Sequence, residues 1–217
     1  MSNIKKILND IGAATLVAAT KYVNADRMIE LLESGITNFG ENRANDFLKK
    51  YQELENYQNI TWHFIGHLQT NKVKSIINKI SFLHSLNSYK LATIINKYRI
   101  KPLNCFIEIN LTNNANKSGI CKEEVIPLLE SLKNLKNINV IGLMTMSDSE
   151  QTDKEKLLVF TELTKIRNDL NKLGYNNIVE LSMGMSDDYH LALKSGATLV
   201  RLGRILFEWG VFNGFIW

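Results

Sequence analysis

The chain alternates between short apolar runs and segments whose apolar residues have helical spacing. Seven of the eight runs are followed by a segment in which apolar residues recur every three or four positions, as in an amphipathic helix. The runs cover residues 16–20, 38–41, 61–66, 81–86, 103–110, 139–146, 178–183 and 198–203. Strands that alternate with helices form parallel sheets with right-handed crossovers.

This pattern predicts a closed barrel. A (β/α)8 barrel needs eight strand–helix units in roughly 200–250 residues, and the chain has 217 residues. The alternative, an open doubly wound sheet, requires a glycine-rich turn after the first strand, where this chain reads Thr20-Lys21-Tyr22. We therefore predict an α/β fold in which a single (β/α)8 TIM barrel occupies residues 1–217. At the start of the chain we predict a short amphipathic segment broken by Asn9 and Asp10.

Composition and charge reduce the number of possible function classes. Hydrophobic residues make up 45% of the chain and charged residues 22%, as in ordinary globular proteins. The net charge of +4 is scattered, which argues against a nucleic-acid surface and fits a small anionic ligand. No apolar run approaches the ~20 residues of a membrane-spanning helix. Two cysteines, Cys105 and Cys121, with no zinc-site spacing indicate a reduced, cytoplasmic protein.

Polar residues stand at the carboxyl ends of the predicted strands, where barrel enzymes place their sites. Lys21 directly follows the first strand, and burial there would lower its pKa and favour the nucleophilic amine that a Schiff base needs. A lysine that extends from the strand end to solvent is the structural alternative. The other strand ends carry Glu41 and Asn42, His67, Asn87, Asn110, Thr145 to Ser147, residues 182–186 and residues 201–203.

The last two strand ends have the composition of an anion site. Hydroxyls and a glycine in the segment from Ser182 to Ser186 lead into a predicted helix, and the eighth strand adds Arg201 and Gly203. In barrels, phosphate commonly binds at the loops after strands seven and eight. A helix N-cap formed by Ser186 or Asp187 is an interpretation that needs no ligand.

The histidines do not predict a metal site. His63 and His67 have the spacing of a helical zinc motif, but they fall on a strand and a turn, where the two rings do not converge. His84 and His190 are interpreted as single structural histidines. No metal is therefore expected.

Several motifs, taken together, resemble one family. They are Thr20-Lys21, Phe39-Gly40-Glu41-Asn42, the block from Trp62 to Lys72 that reads WHFIGHLQTNK, Lys117-Ser118-Gly119, Gly142 to Met146, Leu181 to Asp187 and Val200 to Gly203. In this order they resemble the pyridoxal phosphate homeostasis protein family, and the likeness spans nearly the whole chain. The family's fold is similar to the N-terminal domain of alanine racemase.

The resemblance implies a site for pyridoxal 5′-phosphate (PLP). It implies an internal aldimine on Lys21, with Ser182 or Ser186, Arg201 and the backbone at Gly203 and Arg204 around the phosphate and the ring edge. It also implies Asn42 near the phenolic oxygen and Met183 or Met144 against the ring. Whether Arg201 faces the pyridine nitrogen or the phosphate stays open. Arg204 departs from the family pattern, which has a small hydroxyl residue at this position.

The resemblance implies a carrier or buffer of PLP in vitamin B6 and amino-acid homeostasis, without a catalytic residue. The alternative is a PLP-dependent racemase, but racemisation needs an acid/base on each face of the substrate. Lys21 supplies one, and the second belongs to an added domain for which 217 residues leave no room. The expected partners are PLP and PLP-dependent apo-enzymes, with no nucleic acid and no membrane, for a monomer or weak homodimer.

Overall fold

The computed structural model describes residues 2–112, 114 and 117–207. The strands are Thr15–Ala19 (β1), Asn38–Glu41 (β2), Thr61–Phe64 (β3), Phe82–Leu86 (β4), Leu103–Glu108 (β5), Ile138–Met144 (β6), Glu180–Ser182 (β7) and Leu199–Leu202 (β8). The helices are Ser2–Ile11 (α1), Ala25–Glu33 (α2), Ala44–Glu53 (α3), Val73–Ile76 (α4), Tyr89–Tyr98 (α5), Val125–Leu132 (α6), Asp153–Lys172 (α7), Tyr189–Lys194 (α8) and Arg204–Phe207 (α9).

The eight strands close into a parallel barrel in chain order, with β8 paired to β1. All eight predicted strands are present, and a helix follows each of them. The predicted TIM barrel is confirmed. The prediction of one domain over residues 1–217 also includes residues 1, 113, 115, 116 and 208–217, which lie outside the described residues.

Buried residues form two layers because side chains of a strand alternate between the two faces of the sheet. The larger core lies between the sheet and the helices and contains Met28, Phe47 and Phe160. The smaller core fills the barrel and is made of Val17, Phe106, Met144 and Leu199. On β1, the residues an even number of positions away from Val17 therefore point into the barrel.

The first helix differs from the prediction. Asn9 and Asp10 do not break it, and α1 continues to Ile11. Ile7 and Ile11 lie one turn apart and are both buried in the larger core, which stabilises the last turn in spite of two weak helix formers. Within the described ranges, no helix has the length and apolar character needed to cross a membrane.

Candidate functional site

The register of β1 and β8 brings three of the predicted site residues to one side of the barrel mouth. Val17 pairs with Arg201, and a Cβ built on Gly203 would lie 3.3 Å from the carbonyl oxygen of Ala19. Lys21 stands two residues beyond Ala19, the last residue of β1, in the turn at this end of the barrel. Lys21, Arg201 and Gly203 therefore lie at the same rim.

The side chain of Lys21 is exposed. Of the two interpretations of this lysine, extension from the strand end to solvent agrees with the structure and burial does not. The strand ends at Ala19, and Lys21 already belongs to the turn that follows. Its Nζ atom lies 4.7 Å from the ring centroid of Tyr22, a cation–π contact. The amine is thus accessible to a ligand that approaches the mouth.

A buried cluster behind Lys21 fixes the end of β1. The Nζ atom of Lys50 donates to the carbonyl oxygen of Thr20 and to Oε1 of Glu41, both at 2.6 Å. The hydroxyl of Thr20 donates to the same carboxylate oxygen at 2.5 Å. Thr20 and Glu41 are fully buried, and Lys50 is only 7% exposed. The cluster ties α3 and β2 to the residue that directly precedes Lys21.

The loop after β7 contacts the end of β8 through Ser186. The hydroxyl of Ser186 accepts a hydrogen bond from the backbone N–H of Gly203 at 3.2 Å. The buried Asp188 holds the loop closed, since its carboxylate accepts from the N–H of Met185 at 2.6 Å and from the hydroxyl of Ser147. The alternative interpretation, a helix N-cap by Ser186 or Asp187, is wrong, because Asp188 occupies that position without a side-chain cap.

Arg201 lies inside the barrel, two residues before Gly203. One N–H of its Nη1 donates to the hydroxyl oxygen of Ser182 at 2.5 Å, and one of its Nη2 donates to the carbonyl oxygen of Thr145 at 3.0 Å. Burial lowers the pKa of Arg201 to about 10, while the charges of Asp188 and Glu108 act in the opposite direction. The guanidinium therefore stays charged at neutral pH.

Two histidines continue the polar contacts from Ser182 across the barrel. Nδ1 of His84 lies 2.8 Å from the Ser182 hydroxyl, and its Nε2 lies 2.9 Å from Nδ1 of His63. Nε2 of His63 lies 3.0 Å from Oδ1 of Asn38. His84 is therefore not an isolated histidine, because it contacts a second histidine inside the barrel. Alternation along β3 and β4 was the signal that could have placed both rings on the inner face of the sheet.

The structure places Met183, Met144 and Arg204 in three different environments. Met183 is buried in the larger core on the outer face, because its neighbour Ser182 points inward, whereas Met144 belongs to the core inside the barrel. The exposed Arg204 pairs with Asp187. These placements leave Met144 rather than Met183 on the interior side.

Asn42 follows β2 at the same end of the barrel. Its Oδ1 atom is buried and has no hydrogen-bond partner among the described residues. The residue lines a cavity of about 530 Å³ together with Arg43, His67 and Lys72. A buried amide oxygen without a partner is uncommon and indicates a position that a ligand donor could satisfy.

Glu108, at the end of β5, is a buried carboxyl group that the sequence reasoning missed. Its Oε1 accepts from the hydroxyl of Ser118 at 2.7 Å, and its Oε2 has no partner among the described residues. Burial raises the pKa of Glu108, while the Ser118 hydrogen bond and the charges of Arg201 and His67 oppose the rise.

In the part of the chain that the structure describes, no group of acidic, histidine and cysteine side chains could hold a metal ion.

Comparison with known proteins agrees with this barrel. Residues 1–209 match the family described as the alanine racemase N-terminal domain, so the protein is a barrel of that class. The chain is also 37% identical over 197 residues to the pyridoxal phosphate homeostasis protein of Aquifex aeolicus, covering 89% of this chain and 86% of the relative. It belongs to the pyridoxal phosphate homeostasis protein family, as the sequence motifs predicted.

A second relative and the solved structures extend the comparison. The pyridoxal phosphate homeostasis protein of Synechocystis is 37% identical over 196 residues, with 88% of this chain and 89% of the relative covered. PipY of Synechococcus elongatus, solved with PLP bound, has a TM-score of 0.89 at 27% identity over 95% of this chain and 98% of its own. Alanine racemase of Corynebacterium glutamicum shares the fold at 16% identity and a TM-score of 0.70, and this chain covers 61% of it.

Proposed function

We propose that the rim formed by β1, β7 and β8 binds PLP and that the protein carries or buffers this cofactor in vitamin B6 and amino-acid homeostasis. One observation carries the proposal: an accessible amine, a hydroxyl paired with a glycine N–H, and a buried arginine converge on one side of the barrel mouth. They belong to Lys21, Ser186 with Gly203, and Arg201. In this order, the groups match the aldehyde, the phosphate and the pyridine nitrogen of PLP.

The residues present fit the cofactor. When bound, PLP supplies an aldehyde that condenses with amines, a phosphate ester with nearly two negative charges, and a pyridine ring that withdraws electrons. Lys21 offers the amine, and the cluster of Thr20, Glu41 and Lys50 holds the backbone beside it. Asn42 has a buried amide oxygen available for a donor.

The phosphate end fits Gly203 and Ser186. Gly203 has no side chain over its N–H, so an anion can approach the backbone closely. The Ser186 hydroxyl lies beside this N–H and can turn its proton toward a phosphate oxygen. Ser182 is less suited to this part, since its fully buried hydroxyl already contacts Arg201 and His84. We therefore assign Ser186 rather than Ser182 to the phosphate.

Arg201 fits the ring end. It lies two residues before Gly203 on β8, hence deeper in the barrel than the assigned phosphate position. A guanidinium has five N–H groups, of which two are engaged with Ser182 and Thr145. A remaining N–H is suited to donate to the pyridine nitrogen and to keep it unprotonated. Such a contact weakens the ring as an electron sink, which favours a carrier over an enzyme.

Equilibrium dialysis with PLP and plain pyridoxal tests this assignment. The Lys21→Ala protein should bind PLP weakly, with the absorbance of the free aldehyde, since two or three charge-assisted hydrogen bonds of about 1.5–3 kcal/mol each stay intact. Arg201→Gln should still attach PLP but release it faster. Pyridoxal should bind poorly to both variants and to the parent protein. Borohydride should fix the cofactor on the peptide that contains Lys21.

Two outcomes would contradict the proposal. If pyridoxal binds the parent as tightly as PLP does, Ser186 and Gly203 do not form a phosphate site. If the loaded protein racemises alanine above a PLP-only control and Glu108→Gln abolishes this activity, the enzyme alternative is correct, with Glu108 as the second acid/base.

A further inference from the structure

We propose that Asn38, His63, His84 and Ser182 form a one-way chain of hydrogen bonds whose protons all point away from Arg201, and that this chain orients the guanidinium for its ligand. These four are positioning residues, because they act through Arg201. The direction of the chain depends only on the unliganded protein. Its effect on binding rests on the proposed PLP site.

The Asn38 end sets the direction of the chain, and the contact at the Arg201 end is compatible with it. Arg201 can only donate, so the hydroxyl oxygen of Ser182 accepts from Nη1 at 2.5 Å. At the other end, Oδ1 of Asn38 can only accept, so Nε2 of His63 carries a proton. A neutral imidazole has one N–H, and Nδ1 of His63 must therefore accept from Nε2 of His84.

The tautomer of His84 then fixes the direction in which the Ser182 hydroxyl donates. With its proton on Nε2, His84 presents Nδ1 as an acceptor, and the Ser182 hydroxyl donates to it at 2.8 Å. The reverse direction would leave the single proton of Ser182 without an acceptor among the described residues, in a side chain with no exposed surface. A buried donor without a partner is costly, so the structure favours the direction away from Arg201.

The surroundings keep both imidazoles neutral. Phe82 stacks on His63 and Phe106 stacks on His84, each with ring centroids 4.4 Å apart. Burial lowers the pKa of His63 to about 3. Burial, His63 and the charge of Arg201 lower that of His84 well below its usual value. The groups in contact with the rings are thus aromatic, amide, hydroxyl and imidazole groups, with Arg201 as the nearest cation.

The consequence for the site is a fixed guanidinium. Ser182 accepts from Arg201 because a guanidinium can only donate, and its own proton is held by His84, away from Arg201. With the Thr145 carbonyl as the second acceptor, two fixed oxygens set the plane of the guanidinium. Loss of the acceptor on His84 would free the Ser182 proton to turn toward Arg201, where it would repel the N–H that it now receives.

The first test is nitrogen-15 NMR of the imidazoles in the protein without PLP at neutral pH. We expect both His63 and His84 as neutral rings with the proton on Nε2. Resonances of a ring protonated on Nδ1, or of a charged imidazolium, at either residue would overturn the proposal. This measurement does not depend on whether the protein binds PLP.

The second test replaces His84 by two amides that imitate different ring nitrogens. The side chain of His84→Asn places an oxygen near the position of Nδ1 and can accept from Ser182. That of His84→Gln instead imitates Nε2 and leaves the serine proton without its acceptor. We expect His84→Asn to keep the PLP affinity within about threefold and His84→Gln to lower it about tenfold, the scale of one hydrogen bond to a charged group.

His190→Asn, at an exposed position, is the control for the loss of a histidine. Thermal unfolding identifies which variants are folded, and only folded variants are compared. Equal affinity in the two His84 variants would overturn the orienting role. If the parent protein fails to bind PLP while its rings show the expected tautomers, the proposed function and the effect on binding both fail, and the direction of the chain is retained.

Discussion

Two buried polar clusters lie on opposite faces of the same sheet, and they differ in how they carry charge. The outer cluster, between the sheet and α3, pairs the carboxylate of Glu41 with the ammonium of Lys50 and the hydroxyl of Thr20. The inner cluster links two uncharged imidazoles to a single cation, Arg201. Both are nearly inaccessible to solvent.

The difference shows how each cluster avoids an unpaired buried charge. Glu41 and Lys50 form a buried ion pair, in which each group lies next to its opposite partner. A protonated His84 would instead add a second positive charge near Arg201, and burial would oppose it as well. The outer cluster fixes the backbone at Thr20, whereas the inner cluster fixes the side chain of Arg201. The two halves of the proposed site are thus held from opposite sides of the sheet.

Breaking the outer pair should have the largest effect on stability. Lys50→Met removes the cation and leaves Glu41 as an uncompensated buried carboxylate, which typically costs about 3–5 kcal/mol. The free energy of unfolding from urea titration at neutral pH measures this loss. Replacing both partners, in Lys50→Met with Glu41→Leu, should recover a large part of it, because no buried charge is left unpaired.

The neighbouring lysine provides a matched control. Lys49 is 77% exposed and lies 3.8 Å from Glu53, so Lys49→Met should change the free energy of unfolding by no more than about 0.5 kcal/mol. Equal losses for the two lysine variants would show that the outer cluster contributes no more than a surface ion pair.

The second-largest loss of stability is expected when acid acts on the inner cluster, because its histidines are neutral in the folded state. The pKa of His63 is about 3 in the fold against 6.5 for an ordinary histidine. The unfolded chain therefore binds protons first, and this contribution to stability is complete above pH 6.5 and is lost as the pH falls toward 3. At pH 5 His63 alone should account for a loss of about 2 kcal/mol. The pKa of His84 is lowered too and adds to the loss.

The measurement is the change in unfolding free energy between pH 7.5 and pH 5. It should be smaller in His63→Asn than in the parent protein and unchanged in His190→Asn, whose histidine is exposed. A parent protein whose stability does not fall over this range would contradict the lowered pKa values and the neutral inner cluster.

Much of the fold was predictable because the strands of a parallel barrel are buried and read as apolar runs. The prediction failed where a long-range contact overrides a local signal. Asn9 and Asp10 indicate a helix end, but the burial of Ile11 extends α1 beyond them. For Lys21 the apolar run that continues through Thr20 leaves burial and extension to solvent both open, and the structure shows that the strand ends at Ala19, before the lysine.

The placement of the proposed site residues was predictable in part for a related reason. Strand ends and the family motifs indicate Lys21, Arg201 and Gly203, which the register of β1 and β8 brings to one rim. The contact between His63 and His84 joins residues 21 positions apart in sequence. It depends on the stagger of neighbouring strands, which residue patterns do not specify.

The smallest effect is expected at the rim, where an exposed ion pair contrasts with the buried one. Arg204 pairs with Asp187, and both side chains are about two-thirds exposed. Arg204→Ala should change the free energy of unfolding by no more than about 0.5 kcal/mol. PLP affinity should change less than about threefold, because an exposed charge beside a phosphate is screened by salt. Asp187→Asn, which frees the guanidinium, is the matched variant. If Arg204→Ala weakens PLP binding tenfold or more and Asp187→Asn strengthens it, Arg204 moves from Asp187 to the phosphate and belongs to the site.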